Sequence, residues 1–343
     1  MMLLRPAAWI YGGAVALRNR MFDAGILSQV RVPVPVISVG NLTAGGSGKT
    51  PLVEYIVDCL TRLGVKTGTL SRGYGRSTRG TMIVSDGERV LADTAEAGDE
   101  PVQIARKFRP AVVMVDERRI RGARFMIDRF HVGCIVLDDG FQHRYLKRDL
   151  DIVLIDAADL QTSPVLLPAG RFREPLHALK RAGCVVLIRS SEGADDPAAG
   201  IRKYYGGLVV TAEKQPAALV GIGGQNRTDP GAEPRMSCYA FCGIAKPESF
   251  RTTLAAAGYD VRGLRVFGDH HRYSPAELRE IALQAEHAGS LLIVTTEKDA
   301  ARIAGGLREI TDDRWRYLEI RMKIVEGEQV LKDMIARTAG VTR

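Results

Sequence analysis

Residues 36–50 read Val36-Ile37-Ser38-Val39-Gly40-Asn41-Leu42-Thr43-Ala44-Gly45-Gly46-Ser47-Gly48-Lys49-Thr50. The β-branched run from Val32 to Val39 ends in Gly40-Asn41 and reads as a buried strand entering a turn. From Pro51 to Val57 a helical pattern opens, with proline near the helix start, where its missing N–H is harmless. Strand, glycine loop and helix together make a phosphate cradle. Gly45, Gly46 and Gly48 let successive N–H groups point inward, Lys49 reaches the β/γ oxygens, and Thr50 offers a hydroxyl to Mg²⁺. Thr43, Ala44 and Ser47 complete the nucleotide-binding loop. The first glycine of G-x-x-x-x-G-K-[ST] falls on Thr43, so the match is degenerate.

Outward from this loop, apolar runs recur at 65–70, 111–115, 133–138, 151–156 and 184–189, with helix-length segments between several of them. That alternation implies parallel strands with crossover helices. Residues 26–205 are expected to form an α/β domain of the P-loop NTPase type, a mostly parallel sheet with flanking helices. The composition turns loop-like over 190–235 around a short strand candidate at 207–212, so a linker or hinge is expected at 206–235. Strand candidates at 238–242, 261–267, 290–295 and 316–324, with helical patterns at 246–257, 275–288, 298–304 and 327–338, predict a smaller α/β domain over 236–343.

With 45% hydrophobic and 26% charged residues, the 343-residue chain can fold without staples. A net charge of +8 favours an anionic partner. No recognition module interleaves aromatics with the basic residues, so nucleic acid is not expected. Five scattered cysteines, three of them in apolar runs, fit core packing in a reducing compartment. The C-x3-C pair Cys238/Cys242 lacks a second ligand pair and predicts no zinc site.

Residues 6–17 carry no charge and are flanked by Arg5, Arg18 and Arg20. The run is shorter than the about 20 residues a spanning helix needs. It also fits a signal-peptide core, but export would part the adjacent loop from cytoplasmic ATP. Two readings of the first 25 residues stay open: a surface helix packed on the domain, or an interfacial helix with Trp9, Ile10, Tyr11 and Leu17 in the lipid boundary.

The apolar run Cys134-Ile135-Val136-Leu137 delivers Asp138 and Asp139 to a strand end, where a P-loop protein holds Mg²⁺; a solvated turn is the alternative. Thr296-Glu297-Lys298-Asp299 lacks the N-K-x-D order of guanine recognition, so adenine is preferred. ATP and Mg²⁺ are the expected ligands. Three chemistries share these parts: a kinase, a ligase or synthetase activating a carboxylate with Lys49 and Asp138, and a non-enzymatic membrane switch.

Seven ordered blocks carry more. Ser38 to Pro51, Ser71-Arg72-Gly73-Tyr74-Gly75, Gly98-Asp99-Glu100-Pro101, Leu137-Asp138-Asp139-Gly140-Phe141-Gln142-His143, Leu167-Pro168-Ala169-Gly170, Phe267-Gly268-Asp269-His270-His271 and Thr295-Thr296-Glu297-Lys298-Asp299 resemble the tetraacyldisaccharide 4′-kinase family of lipid A biosynthesis, over nearly the whole chain. The resemblance implies transfer of the ATP γ-phosphoryl group to the 4′-hydroxyl of an acylated glucosamine disaccharide 1-phosphate, giving lipid IVA. It implies a site at the cytoplasmic face of the inner membrane, and so favours the interfacial reading of residues 1–25.

The same resemblance makes Asp99 the base, paired with a histidine of the Asp-His-His block, His270 ahead of His271, beside Lys49. Thr50, Asp138, Asp139 and, more weakly, Glu100 become the metal set. Asn41, Arg72, Tyr74, Arg119, Gln142, His143, Arg171 and Glu174 become the lipid-headgroup set. Asp99 and His270 flank the 190–235 boundary, so closure of the second domain is expected to join them. Arg171-Phe172 stand where the family more often has Pro-Leu, and Gly268 where proline is common.

Overall fold

The computed structural model describes residues 4–45, 48–161, 164–189, 197–229, 236–303 and 312–341. Gly46 and Ser47 of the phosphate loop, and 190–196 and 230–235 of the expected boundary, lie outside the described residues.

In chain order the helices are α1 (Arg5–Asp23), α2 (Lys49–Arg62), α3 (Thr94–Ala97), α4 (Asp99–Lys107), α5 (Arg119–Phe130), α6 (Ala157–Leu160), α7 (Pro197–Arg202), α8 (Pro247–Ala256), α9 (Pro275–His287), α10 (Glu297–Ile303) and α11 (Glu328–Thr338). The strands are β1 (Val36–Asn41), β2 (Thr67–Ser71), β3 (Met82–Asp86), β4 (Val112–Val115), β5 (Cys134–Asp138), β6 (Leu150–Asp156), β7 (Cys184–Ile188), β8 (Leu208–Gly221), β9 (Ser237–Cys242), β10 (Asp260–Val266), β11 (Leu292–Thr296) and β12 (Trp315–Glu326). All twelve join one sheet in the order β10-β9-β11-β12-β8-β7-β6-β1-β5-β2-β4-β3.

Two parallel blocks make up this sheet, and antiparallel pairing of β8 with β12 joins them. Within the expected linker at 206–235, the strand is longer than the candidate at 207–212. Residues 208–221 are a 14-residue strand, and only their first five pair with β7. The stretch Glu213-Lys214-Gln215-Pro216 looks like a loop in sequence, but its backbone is satisfied by β12, more than 100 residues further on. Long-range pairing overrides local propensity at that point. Edge strand β3, antiparallel to β4, is a strand the sequence reading did not predict; its five residues end in Ser85-Asp86.

The β8–β12 ribbon sets where the site lies. Ile188, at the end of β7, pairs at Ala212, whereas Thr296, at the end of β11, pairs with Leu318, itself opposite Leu219. Seven residues of β8, about 23 Å at a strand's rise, separate those two strand ends. Because β12 runs against β8, the C-terminal edges of the two blocks face each other across that gap. Ligands of open α/β sheets bind at such edges.

Every residue of β1 is buried, as expected when helices cover both faces of a parallel sheet. One face packs Ile37 and Val39 against Leu52, Val53, Ile56 and Leu60 of α2. This fixes the helix whose N-terminus closes the phosphate loop. All five cysteines are free and buried.

Behind the site, four elements converge on one buried lysine. Lys107 Nζ of α4 meets Glu54 Oε2 of α2 at 2.6 Å, Glu319 Oε1 of β12 at 3.0 Å and Glu297 Oε1 of α10 at 3.5 Å. Burial and the Glu54 charge push the Glu297 carboxyl up to about 8. The native state therefore holds a proton that the unfolded chain releases near the ordinary glutamate value. Its contribution is complete below that value and is lost as pH rises through about 8. Between pH 6 and 9 the melting temperature should fall, and Glu297→Gln should flatten that fall, removing a stability loss of about 2–3 kcal/mol across the range. An unchanged slope in the variant would assign the fall to other groups.

Candidate active site

The phosphate loop leaves β1 at Asn41 and enters α2 at Lys49. Gly48 caps the helix with φ +87°, a conformation open to glycine at little cost. Lys49 Nζ donates to Asn41 Oδ1 at 3.2 Å and pairs with Asp139 Oδ1 at 3.1 Å. Arg171 braces the loop from outside: its carbonyl accepts from the Ala44 amide at 2.7 Å, and its guanidinium pairs with Asp159 at 3.0 Å. Thr43 Oγ1 also donates to Asp159, at 3.0 Å.

Asp138 ends β5 in register with Val39 of β1. The next two residues turn sharply, Asp139 at φ +52° and Gly140 with its amide donating to the Val39 carbonyl at 2.9 Å. A Cβ on Gly140 would lie 2.7 Å from Ser38 Oγ, so only glycine fits. The two aspartates have different surroundings. Burial and the Glu100 charge push Asp138 up to about 7, and its Oδ1 is buried without a hydrogen-bond partner. Burial also opposes ionisation of Asp139, but Lys49 and Arg173 outweigh it and hold that carboxyl below the usual range.

On the phosphate-loop half, Asp99 and Glu100 open α4, where the helix dipole favours negative charge, and residues of the facing half reach them. Lys298 and Arg302 lie four apart on α10 and so share one of its faces. Lys298 Nζ reaches Glu100 Oε1 at 2.6 Å, and Arg302 Nη2 reaches Asp99 Oδ2 at 2.6 Å. His270 Nδ1 lies 2.9 Å from the same Asp99 oxygen, across 171 residues of sequence. Burial raises the Asp99 pKa, but Arg302 and His270 more than offset this and keep the carboxylate ionised. His270 has φ +61°, a left-handed backbone held by its amide bond to the Gly243 carbonyl at 3.2 Å. Such conformations cost of order 1 kcal/mol or more and concentrate at functional sites.

Arg302 was not singled out in the sequence. The signal that could have found it is its spacing, three residues after Asp299 and four after Lys298 in the quoted Thr-Thr-Glu-Lys-Asp block. Its guanidinium is almost wholly buried, tied also to Asp299 Oδ1 at 2.7 Å.

The headgroup candidates divide. Arg119, Gln142 and His143 each bury one polar atom with no partner: Nε, Oε1 and Nε2 respectively. Arg119 and His143 line a cavity of ≈ 430 Å³ with Arg118, Arg121, Arg124 and Tyr145. Burial, with Arg119 and Arg148 nearby, brings His143 down to about 4, so it is neutral. Arg72 is exposed, and Tyr74 presents its ring to His270 at 5.7 Å. Three others sit apart: Asn41 is buried inside the loop, Arg171 braces it, and Glu174 is buried between Arg181 (2.9 Å) and Asn19 of α1 (2.7 Å).

Relatives match this chain over nearly its full length. A family profile described as LpxK, tetraacyldisaccharide-1-P 4′-kinase, matches residues 1–339. The chain belongs to the tetraacyldisaccharide 4′-kinase family. Among its curated relatives, a protein of that name from Chlorobium limicola is 41% identical over 345 residues, covering 97% of this chain and 96% of its own. Another from Chlorobaculum parvum is 40% identical, covering 96% of this chain and 92% of its own. The crystal structure of the "apo" form of LpxK from Aquifex aeolicus in complex with ATP superposes with a TM-score of 0.79, at 32% identity and 98% coverage of both chains. The P-loop-type α/β sheet and the family of ATP-dependent lipid A kinases are thereby established for this chain.

Proposed function

We propose that this kinase transfers the γ-phosphoryl group of ATP to the 4′-hydroxyl of an acylated glucosamine disaccharide 1-phosphate, yielding lipid IVA, at a membrane surface. The observation that carries the residue assignment is the approach of Asp99, on the phosphate-loop half, and His270, on the facing half, to 2.9 Å. A ligase needs no such dyad, and a switch would have no use for it.

Phosphoryl transfer asks mainly for positioning and charge neutralisation. Lys49 and the amides of the loop hold the β/γ oxygens. The ionised Asp99 accepts the proton of the sugar hydroxyl, with His270 fixing the carboxylate and Arg302 keeping it charged. The chemistry of the donors fits Mg²⁺: Asp138 Oδ1 is a buried oxygen without a partner, and Thr50 lies at the start of α2. Among the described residues no cluster of three side-chain ligands is pre-assembled. Asp139 and Glu100 are matched by lysine and arginine instead, which suits a metal that shares its coordination with substrate phosphates. When bound, Mg²⁺ would neutralise charge on the phosphates, held by Thr50 and Asp138 with Asp139 adjacent.

The headgroup would lie against Arg72, Tyr74, Arg119, Gln142 and His143, where a 1-phosphate can satisfy the orphaned Arg119 donor. No described helix is long and apolar enough to cross a membrane. Helix α1 instead docks on the domain through Ala8, Phe22 and polar contacts, and leaves three large apolar side chains outward. Tyr11 Oη donates to the Arg173 carbonyl and Asn19 to Glu174, while Trp9 and Ile10 are each 76% exposed and Leu17 61%. That is the arrangement of an interfacial anchor, here at the cytoplasmic leaflet. Trp9→Ser with Ile10→Ser should weaken binding to anionic phospholipid vesicles by about tenfold or more, read by cosedimentation, with little change in melting temperature.

The direct test is γ-labelled ATP with tetraacyldisaccharide 1-phosphate in detergent micelles. Labelled lipid is expected; its absence, from protein that binds ATP, would sink the assignment.

A further inference from the structure

The loop is approached by a cation that none of the preceding chemistry uses. A Cβ on Gly48 would lie 2.3 Å from Lys214 Cε and 2.9 Å from its Nζ. Lys214 thus stands against the backbone where the loop becomes a helix. It comes from β8, opposite Met322 of β12, in the ribbon that joins the two halves of the sheet.

Its ammonium is unmatched. Lys49 has Asp139, Lys298 has Glu100 at 2.6 Å, and Lys246 has Asp156 at 3.4 Å. Among the described residues Lys214 has no carboxylate within ion-pair distance and no hydrogen-bond acceptor. Partial desolvation lowers its pKa. Asp156 and Asp159 act against that shift and Lys246 and Lys298 add to it. Lys214 is exposed, so water solvates its ammonium until an anion arrives at the loop. The loop exists to hold one.

We propose that Lys214 is a further phosphate ligand of the nucleotide site, reaching the ATP phosphates from the β8–β12 ribbon. It rests on the reading of residues 43–50 as the nucleotide loop. It adds that ATP is gripped from both sides of the joint, by Lys49 on α2 and by Lys214 on the strand leading into the second half. The phosphate chain then ties the loop to the ribbon, and nucleotides with fewer phosphates lose that tie.

Two variants separate charge from packing. Lys214→Met keeps the apolar stem against Gly48 and removes the ammonium; Lys214→Arg keeps a cation. Binding of ATP, ADP and AMP is measured by calorimetry on the full-length protein, with melting temperature as the control. For Lys214→Met the ATP dissociation constant should rise about tenfold or more, that of AMP less than about twofold, and Lys214→Arg should recover most of the loss. ATP affinity within twofold of wild type in Lys214→Met overturns the proposal. Equal weakening of all three nucleotides also overturns it, because it marks a packing role. Wild-type protein that fails to bind ATP removes the loop reading, and the proposal with it.

Discussion

Replacing Asp99 by Asn should lower kcat by about 10²–10⁴-fold and leave the KM for ATP within about twofold. Asparagine keeps the shape of the side chain and its place at the start of α4, but it cannot take a proton from a hydroxyl. Asp99 is held below the usual carboxylate range by Arg302 and His270, so it is a weak base that is always ionised, and its value lies in placement. That decides which partner matters. His270→Ala removes one contact to Asp99 and leaves the Arg302 bond at 2.6 Å, so its loss should be smaller, about 10- to 10²-fold. Folding is a fair concern, because the almost wholly buried Arg302 loses a charged partner. It retains Asp299 Oδ1 at 2.7 Å and the Gly243 carbonyl at 3.2 Å, so the cost should be about 1–3 kcal/mol, below the stability of a domain. Steady-state rates with the lipid substrate, beside thermal melts, check both halves. Full turnover in Asp99→Asn would move the proton acceptor elsewhere, with Asp138 the next carboxylate to test.

How much of this was legible in the sequence follows from how local each signal is. The strand, loop and helix at 36–57 lie in one continuous stretch, and their pattern carries the fold of the first half. Asp138-Asp139-Gly140 was legible for the same reason, an apolar run ending in two carboxylates. The ribbon was not. Its pairing partner is more than 100 residues away, and its polar centre, Glu213 to Gln215, imitates a loop. Arg302 and Lys214 stayed hidden because a cation's role depends on which anions surround it, which sequence spacing does not give. Glu174 and Arg171 were placed in the headgroup set by resemblance; in the structure Glu174 accepts from Asn19 of α1 and Arg171 donates to the Ala44 carbonyl of the loop, contacts that sequence spacing does not give. The pairing of Asp99 with His270 came from resemblance alone. Its physical basis is the antiparallel ribbon, which turns the two sets of strand ends toward each other.

Lys49→Met should reduce single-turnover transfer from γ-labelled ATP by about 10³-fold or more, with a loss of stability near 1 kcal/mol. The two magnitudes separate because Lys49 is replaceable as a structural group and not as a chemical one. Without it, Asp139 still has Arg173 at 2.8 and 2.9 Å. Asn41 still donates to the Thr43 carbonyl at 2.6 Å, and its own carbonyl still accepts from Gln142 at 3.0 Å. No buried charge is stranded, so the folded state should survive. In the transition state nothing equivalent takes over, since charge spreads over the phosphoryl oxygens at the start of α2, where Lys49 is the side-chain cation carried by the loop itself. Arginine should not rescue it: a planar fork is longer and broader than an ammonium, and the space is bounded by Asn41 and Asp139. Lys214 supplies the discriminating control. A phosphate contact made from the ribbon acts on nucleotide binding, so Lys214→Met should raise the KM for ATP more than it lowers kcat, the opposite split from Lys49→Met. If Lys49→Met kept more than about a tenth of wild-type transfer, the loop would be a binding element only, and the charge on the transferred group would have to be met from the facing edge, by Lys298 or Arg302.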